Sequence, residues 1–345
     1  QLRLSFTQKA STLWAPMGFE VATEQFTLAT LAHTTACAQC LPALRTAEEG
    51  DCLFIQGETF QAVFDMAHGR ISDYAYQDAS LVEQGAQTNL WRAPTDNDEG
   101  LMMKTAGKWR AKGLDHIATR VQDAAWKQEG DRIVVTFETV EAPPIIAPAC
   151  RTAWTYTVFG DGTVHVQAAF TPRADIESFP RMGTRWVLPG NLDHVVWYGR
   201  GPQENYVDKK NAAFIGLYEA TVADLHEDYV RPQENGNHED VRFVALHNEL
   251  GLGLLFAAQD TFAFTAHDYS DEALTRAQHT HELEREDAVY LNLDAANAGL
   301  GSGSCGPKTL TRYEVSSQPR TLEYWVRPYY RGVHDPFVLA SELPM

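Results

Sequence analysis

Apolar and polar residues alternate with a period of two through most of the chain, which is the period of a strand with one buried face. Leu2, Leu4 and Phe6 are spaced this way. Phe19, Val21, Phe26 and Leu28 repeat the pattern beyond the turn Trp14-Ala15-Pro16-Met17-Gly18, so two strands and a turn open the sequence. Two strands alone cannot bury a core. Residues 29–49 are rich in Ala, Thr and small polar residues, carry Pro42 and the pair Glu48-Glu49, and read as a linker.

From Cys52 onward strand follows strand: CLFIQG, FQAVFD, a turn at His68-Gly69-Arg70, then ISDYAY. IVVTFETV, RTAWTYTVF and TVHVQAAF continue the series, the last two joined by an Asp-Gly turn at Gly160-Asp161-Gly162. Arg185 to Leu188, FVALHN, GLGLLFAA, FAFTAH, VYLNLD, YEVSS and LEYWVRPYY complete it. The one helix predicted is short, MMKTAGKWRAKG at 102–113, and it follows the acidic turn Asp96-Asn97-Asp98-Glu99. That turn lacks the remaining ligands of a calcium loop and reads as an Asx-rich turn. Short strands with close turn signals make an all-β protein, a large two-layer antiparallel β-sandwich.

Charge narrows the partners. Lys and Arg total 28 against 46 Asp and Glu, a formal charge of -18, which argues against nucleic acid and anionic membrane. No apolar run approaches the roughly 20 residues that cross a bilayer, so a soluble chain is expected. The five cysteines, Cys37, Cys40, Cys52, Cys150 and Cys305, are odd in number and scattered. They suit a reducing compartment, hence the cytoplasm. Cys37-Ala-Gln-Cys40 has metal-pair spacing, but no second pair accompanies it.

The densest chemistry lies at 197–243, where Gly199 and Gly201 flank Arg200 and precede Pro202-Gln203-Glu204-Asn205. The same tetrapeptide recurs at Pro232 to Asn235, followed by Gly236, His238, Glu239 and Asp240. No longer internal repeat accompanies it, so the recurrence is coincidental or locally convergent. Two readings stay open from the residues alone, a pair of well-bonded turns or a recognition loop on a rigid scaffold.

Gly199 to Asp208 and Tyr229 to Gly236 resemble the G-x-G-P-Q-E-N-Y-x-D and Y-x-x-P-x-E-N-G runs of the C-terminal domain of glycoside hydrolase family 2 beta-galactosidases. Arg92 to Gly100 is similar to the family's R-A-P-x-D-N-D-x-G, and Asp294 to Pro307 to its glycine-rich D-x-x-x-x-G-x-G segment ending C-G-P. The resemblance implies a galactose mutarotase-like supersandwich over 50–345, a linker at 34–49, and closing strands of a preceding immunoglobulin-like domain over 1–33. Gln1 would then lie inside a longer polypeptide.

It also implies hydrolysis of terminal non-reducing β-D-galactosides, lactose among them, with retention, by two glutamates on a barrel that would precede this chain. The magnesium and sodium of such enzymes belong to that barrel, so no cofactor is expected here. Glu204, Glu234 and Glu239 are therefore expected to fix loops, and the isolated chain to be inactive. The implied partners are the barrel portion, in the same chain or a large subunit, the galactoside, and further copies in a homo-oligomer. For the sugar pocket the resemblance implies Tyr290, where one branch of the family has a stacking tryptophan, and Glu234, Asn235 and Gly236, in a mobile loop. Two alternatives are an aldose epimerase of the mutarotase type, drawing on His194, His226, His238 or His247, and a non-catalytic carbohydrate-binding module.

Overall fold

Strands with one apolar face need a second sheet to cover it, and this chain supplies one from its own later strands. A computed structural model describes residues 1–28, 41–100 and 105–344. Cys37 and Cys40 fall outside the described residues. The chain opens with an antiparallel hairpin, β1 (Leu2–Thr7) and β2 (Glu20–Phe26), whose residues are mostly exposed. A five-stranded antiparallel sheet follows: β3 (Arg45–Glu49), β4 (Cys52–Gln56), β5 (Phe60–Asp65), β6 (Arg70–Tyr76) and β7 (Ala79–Ser80). The expected linker at 34–49 therefore ends early. Residues 45–49 pair with β4, an exposed polar strand whose sequence carries no buried face to betray it.

Next come β8 (Gln84–Asn89), α1 (Thr105–Ala111), β9 (Ala118–Glu129), β10 (Arg132–Ala142), β11 (Cys150–Val158), β12 (Val164–Pro172), β13 (Arg181–Pro189), β14 (His194–Gly201) and β15 (Phe214–Thr221). The last stretch holds α2 (Val222–Leu225), β16 (His238–His247), β17 (Leu252–His267), α3 (Asp271–Arg276), β18 (Ala288–Asn297), β19 (Arg320–Tyr330) and α4 (Pro336–Ser341). One layer runs β15-β14-β16-β17-β19-β12-β11-β10-β9. The other combines the five-stranded sheet with β8, β13 and β18.

β17 joins the layers. Leu252 to Ala257 pair with β19, whereas Ala263 to His267 pair with β18. The two runs GLGLLFAA and FAFTAH are thus one strand, continuous through the exposed Gln259 and Asp260. YEVSS is not a strand: Thr311–Tyr313 form a 3-10 turn, and Val315 makes a single bridge to Phe179.

Alternate residues fill the space between the layers. Ile133, Val135 and Phe137 of β10 and Val164, Val166, Ala168 and Phe170 of β12 are buried. Phe64 of β5 meets Phe137 and Tyr156 from the opposite layer, with ring centroids 6.5 and 5.3 Å apart. Trp186 of β13 donates its indole N–H to Tyr324 Oη of β19 at 2.9 Å and lies 5.4 Å from the Phe256 ring. Each such aromatic contact adds about 0.5–1.5 kcal/mol beyond the area it buries. The hairpin reaches this body through Gln25, whose side-chain amide donates to Ile215 O at 2.7 Å and accepts from Ile215 N at 2.8 Å on the edge strand β15.

Candidate functional site

The four motifs converge. Arg92, fully buried, directs one guanidinium nitrogen to both oxygens of Asp98 at 3.1 Å and the other to Asn297 Oδ1 at 3.0 Å and to the Ala298 carbonyl. Asp98 also accepts from Thr95 N at 2.9 Å, so the acidic turn is an Asx turn closed on an arginine. Asn97 donates to Gly301 O at 2.9 Å and accepts from Ser304 N at 3.0 Å, which ties the first motif to the glycine-rich segment. Asp208 ties in the second by accepting from Leu300 N at 3.0 Å and Gly301 N at 2.8 Å.

The two copies of the recurring tetrapeptide share one side-chain contact. Asn205 donates to Gln203 O at 3.0 Å, and Asn235 donates to Gln233 O at 2.9 Å. The copies pack together, since Asn205 N donates to Asn237 O at 2.7 Å and Gly236 N to Glu204 Oε2 at 3.0 Å. Gly236 has φ 72° in the left-handed region, and a Cβ there would lie 2.6 Å from Leu225 O, so both conformation and space demand glycine.

Beneath these turns lies a buried ion cluster. Arg181 of β13 donates to Glu234 Oε1 at 2.7 Å and lies 3.4 Å from Asp294 Oδ2 and 3.6 Å from Asp271 Oδ2. Arg185 binds Asp271 from the other side and reaches Glu272 at 3.2 Å. Asn89 donates to Asp271 and to Asn292, each at 2.9 Å. Burial pushes the Asp294 carboxyl up to about 7 despite the nearby guanidinium, and neither of its oxygens has a hydrogen-bond partner. A Cβ on Gly183 would sit 2.2 Å from Asp294 Oδ1, so that glycine makes room for the carboxylate.

The predicted pocket residues separate into a buried and a partly exposed group. Glu234, Asn235 and Gly236 are all buried. Glu234 is taken by Arg181 and by Asn297 at 3.3 Å, and Asn235 Oδ1 accepts from Glu227 N at 2.9 Å. Residues 227–230 just before them form the exposed part of the loop. Tyr290 is half-buried and donates to Glu286 Oε2 at 2.6 Å; burial and that carboxylate raise its phenol above the ordinary range. The two groups meet through His267, which pairs in register with Tyr290 and holds Asn235 O at 2.9 Å through Nε2.

Other acidic and imidazole groups are engaged inside the fold. Glu204 accepts from Lys209 at 2.8 Å and Tyr229 at 2.6 Å. Glu239 accepts from Asn237 at 3.1 Å, and burial raises it to about 7. His238 lies against Trp197 and Phe264, its ring nitrogens facing Gly236 O at 3.0 Å and Pro202 O at 3.1 Å. Burial lowers His226 and His238 to about 4. His194 and His247 stack on each other, with ring centroids 5.2 Å apart.

The family profile of the beta galactosidase small chain matches residues 56–327. The chain belongs to the beta-galactosidase small-chain family. It is 31% identical over 330 residues to a beta-galactosidase of Priestia megaterium, covering 95% of this chain and 31% of that one. It is 28% identical over 337 residues to a beta-galactosidase of Streptococcus thermophilus, covering 96% of this chain and 30% of that one. This small-chain sequence thus spans about a third of the length of the curated relatives it matches. Among solved structures, galactose 1-epimerase from Lactobacillus acidophilus superposes with a TM-score of 0.39 and 8% identity, over 84% of this chain and 97% of that one.

Sequence reasoning missed Arg181, Asp271 and His267 as parts of this small-chain site. A signal existed. Arg181, Gly183 and Arg185 alternate with the buried Met182, Thr184 and Trp186, and Tyr290, Asn292 and Asp294 alternate with the core residues Leu291 and Leu293. A strand with one core face and one charged, equally buried face marks a polar centre rather than a solvent surface.

Proposed function

We propose that this chain is the C-terminal portion of a beta-galactosidase that hydrolyses terminal non-reducing β-D-galactosides with retention, and that it shapes the sugar pocket without supplying a catalytic group. The observation that carries the reading is the small-chain family match over residues 56–327. Both catalytic carboxylates, and the magnesium and sodium of the complete enzyme, are assigned to the portion outside this chain, a barrel in the same polypeptide or a large subunit. The hairpin of β1 and β2 is assigned to the immunoglobulin-like domain between them, and the complete enzyme to the cytoplasm as a homo-oligomer. Among the described residues no helix is long and apolar enough to cross a membrane, and Cys52, Cys150 and Cys305 are free thiols.

Within the pocket, Tyr290 offers a ring held at the edge of β18 by Glu286, which also accepts from Ser270 at 2.9 Å. Asn235 acts from below, holding the exposed loop at 227–230 through Glu227 N, while Glu234 anchors the turn to the buried Arg181. The isolated chain should not hydrolyse a chromogenic β-galactoside, and adding the catalytic portion should restore turnover. In that restored enzyme Tyr290→Ala removes an aromatic contact of about 1–2 kcal/mol, a five- to thirtyfold rise in KM. The contact is made in ground and transition states alike, so kcat stays within twofold. Turnover that copurifies with the isolated chain would sink the reading, and an unchanged KM would place Tyr290 outside the pocket.

A further inference from the structure

The segment between α3 and β18 carries a second chemistry. His279, His281 and Glu282 lie on a single 3-10 turn, all exposed, with one ligand atom from each within 4.8 Å of the others. His279 Nδ1 is 2.9 Å from Glu282 Oε1, and the two imidazole rings stack with centroids 5.4 Å apart at 24°. We propose that this turn binds a borderline divalent transition ion, of the zinc, nickel or copper class, through two imidazoles and one carboxylate.

Three features support the assignment. Two imidazoles with one carboxylate form a donor set that suits these ions and is poorly matched to magnesium or calcium, which favour oxygen. The backbone orients the donors in advance: Gln278 N donates to Glu282 Oε2 at 2.8 Å, while Glu282 N and Leu283 N donate to His279 O at 3.0 Å and Thr280 O at 3.1 Å. Such support from outside the ligand set fixes ligand direction and raises affinity. The side chains are long and exposed, so closing from their present spacing onto bonds of about 2.0–2.2 Å needs only rotamer changes. Further coordination positions stay open to water.

The site also sits close to the proposed rim. Glu286, which holds Tyr290, lies four residues beyond Glu282, and its backbone N donates to Asp268 O at 2.9 Å. An ion at 279–282 stiffens the segment that carries Glu286. The metal assignment itself stands on the turn alone and does not depend on the galactosidase reading.

The test is titration of the untagged chain, its accessible thiols alkylated so that they cannot compete, with Cu2+, Zn2+ and Mg2+ in separate experiments. The expected result is one saturable site, tightest for Cu2+, with nitrogen superhyperfine coupling from two imidazoles in the Cu2+ spectrum and no competition from Mg2+. Hydrogen exchange over 277–287 should slow with Zn2+. His281→Ala and Glu282→Gln should each weaken binding at least about tenfold. His279→Ala/His281→Ala should abolish the site while leaving the circular dichroism spectrum unchanged. An affinity in the double variant equal to that of the parent chain, or coupling to fewer than two nitrogens, overturns the proposal.

Discussion

Replacing Arg181 by Met keeps most of the side-chain volume and removes the charge on which three buried carboxylates converge. The loss falls unevenly. Asp271 keeps Arg185 and Asn89, and Glu234 keeps Asn297 at 3.3 Å, but Asp294 has no hydrogen bond to fall back on. Removing one partner of a buried ion pair costs about 3–5 kcal/mol, because the remaining carboxylates are left uncompensated or must take up a proton. That is a large fraction of the roughly 5–15 kcal/mol that holds a typical fold. With a urea dependence of about 3 kcal/mol per molar, the unfolding midpoint should fall by about 1–1.7 M. Equilibrium unfolding in urea at pH 7, followed by tryptophan fluorescence, measures this. Without the guanidinium the buried Asp294, already at about 7, is driven to take up a proton; adding Asp294→Asn to Arg181→Met removes that cost at pH 7 and should recover at least about 1 kcal/mol. If the single variant unfolds within about 0.2 M of the parent, or the double variant is no more stable than the single, the carboxylates do not depend on the guanidinium.

Buried titratable groups set a pH response. Asp294 and Glu239, at about 7 when folded against about 4 when unfolded, hold protons in the fold that the unfolded chain releases, so each weakens the fold as pH rises from about 4 to 7. His226 and His238, at about 4 when folded against about 6.5 unfolded, strengthen the fold over the lower part of that range, up to about 6.5. Asp294→Asn removes one weakening contribution, so its stability should rise more steeply with pH than the parent's; parallel curves would refute the protonated Asp294. At the hairpin, Gln25→Ala removes two hydrogen bonds to Ile215 worth about 1–3 kcal/mol together, and exchange of the Ile215 amide should quicken about tenfold. Unchanged exchange would mean that the amide does not anchor the hairpin.

The sandwich was legible because its core strands alternate cleanly. Val164, Val166, Ala168 and Phe170 announce β12, as Ile133, Val135 and Phe137 announce β10. β9 gave no such signal: it is an edge strand, and only Val121, Ala124 and Trp126 pack against the core. The continuity of β17 was hidden because Gln259 and Asp260 look like a turn, although they mark the place where the strand passes between layers. The motifs located the polar centre, but its cation could not be read from them. Arg181 lies outside all four, and its partners Asp271 and Glu234 are distant in sequence and reach it only through the register of β13, β17 and β18.

β19 lies between β12 and β17, so within this layer two strands that precede it in the sequence are joined only by a strand made after both. Until Arg320 to Tyr330 leave the ribosome, β12 presents an open edge and the layer is split in two. Completion of the layer therefore waits for a strand made after all the others in it. A ribosome stalled shortly before residue 320 would carry a chain with most of its apolar residues and no means of closing over them, a natural client for chaperones.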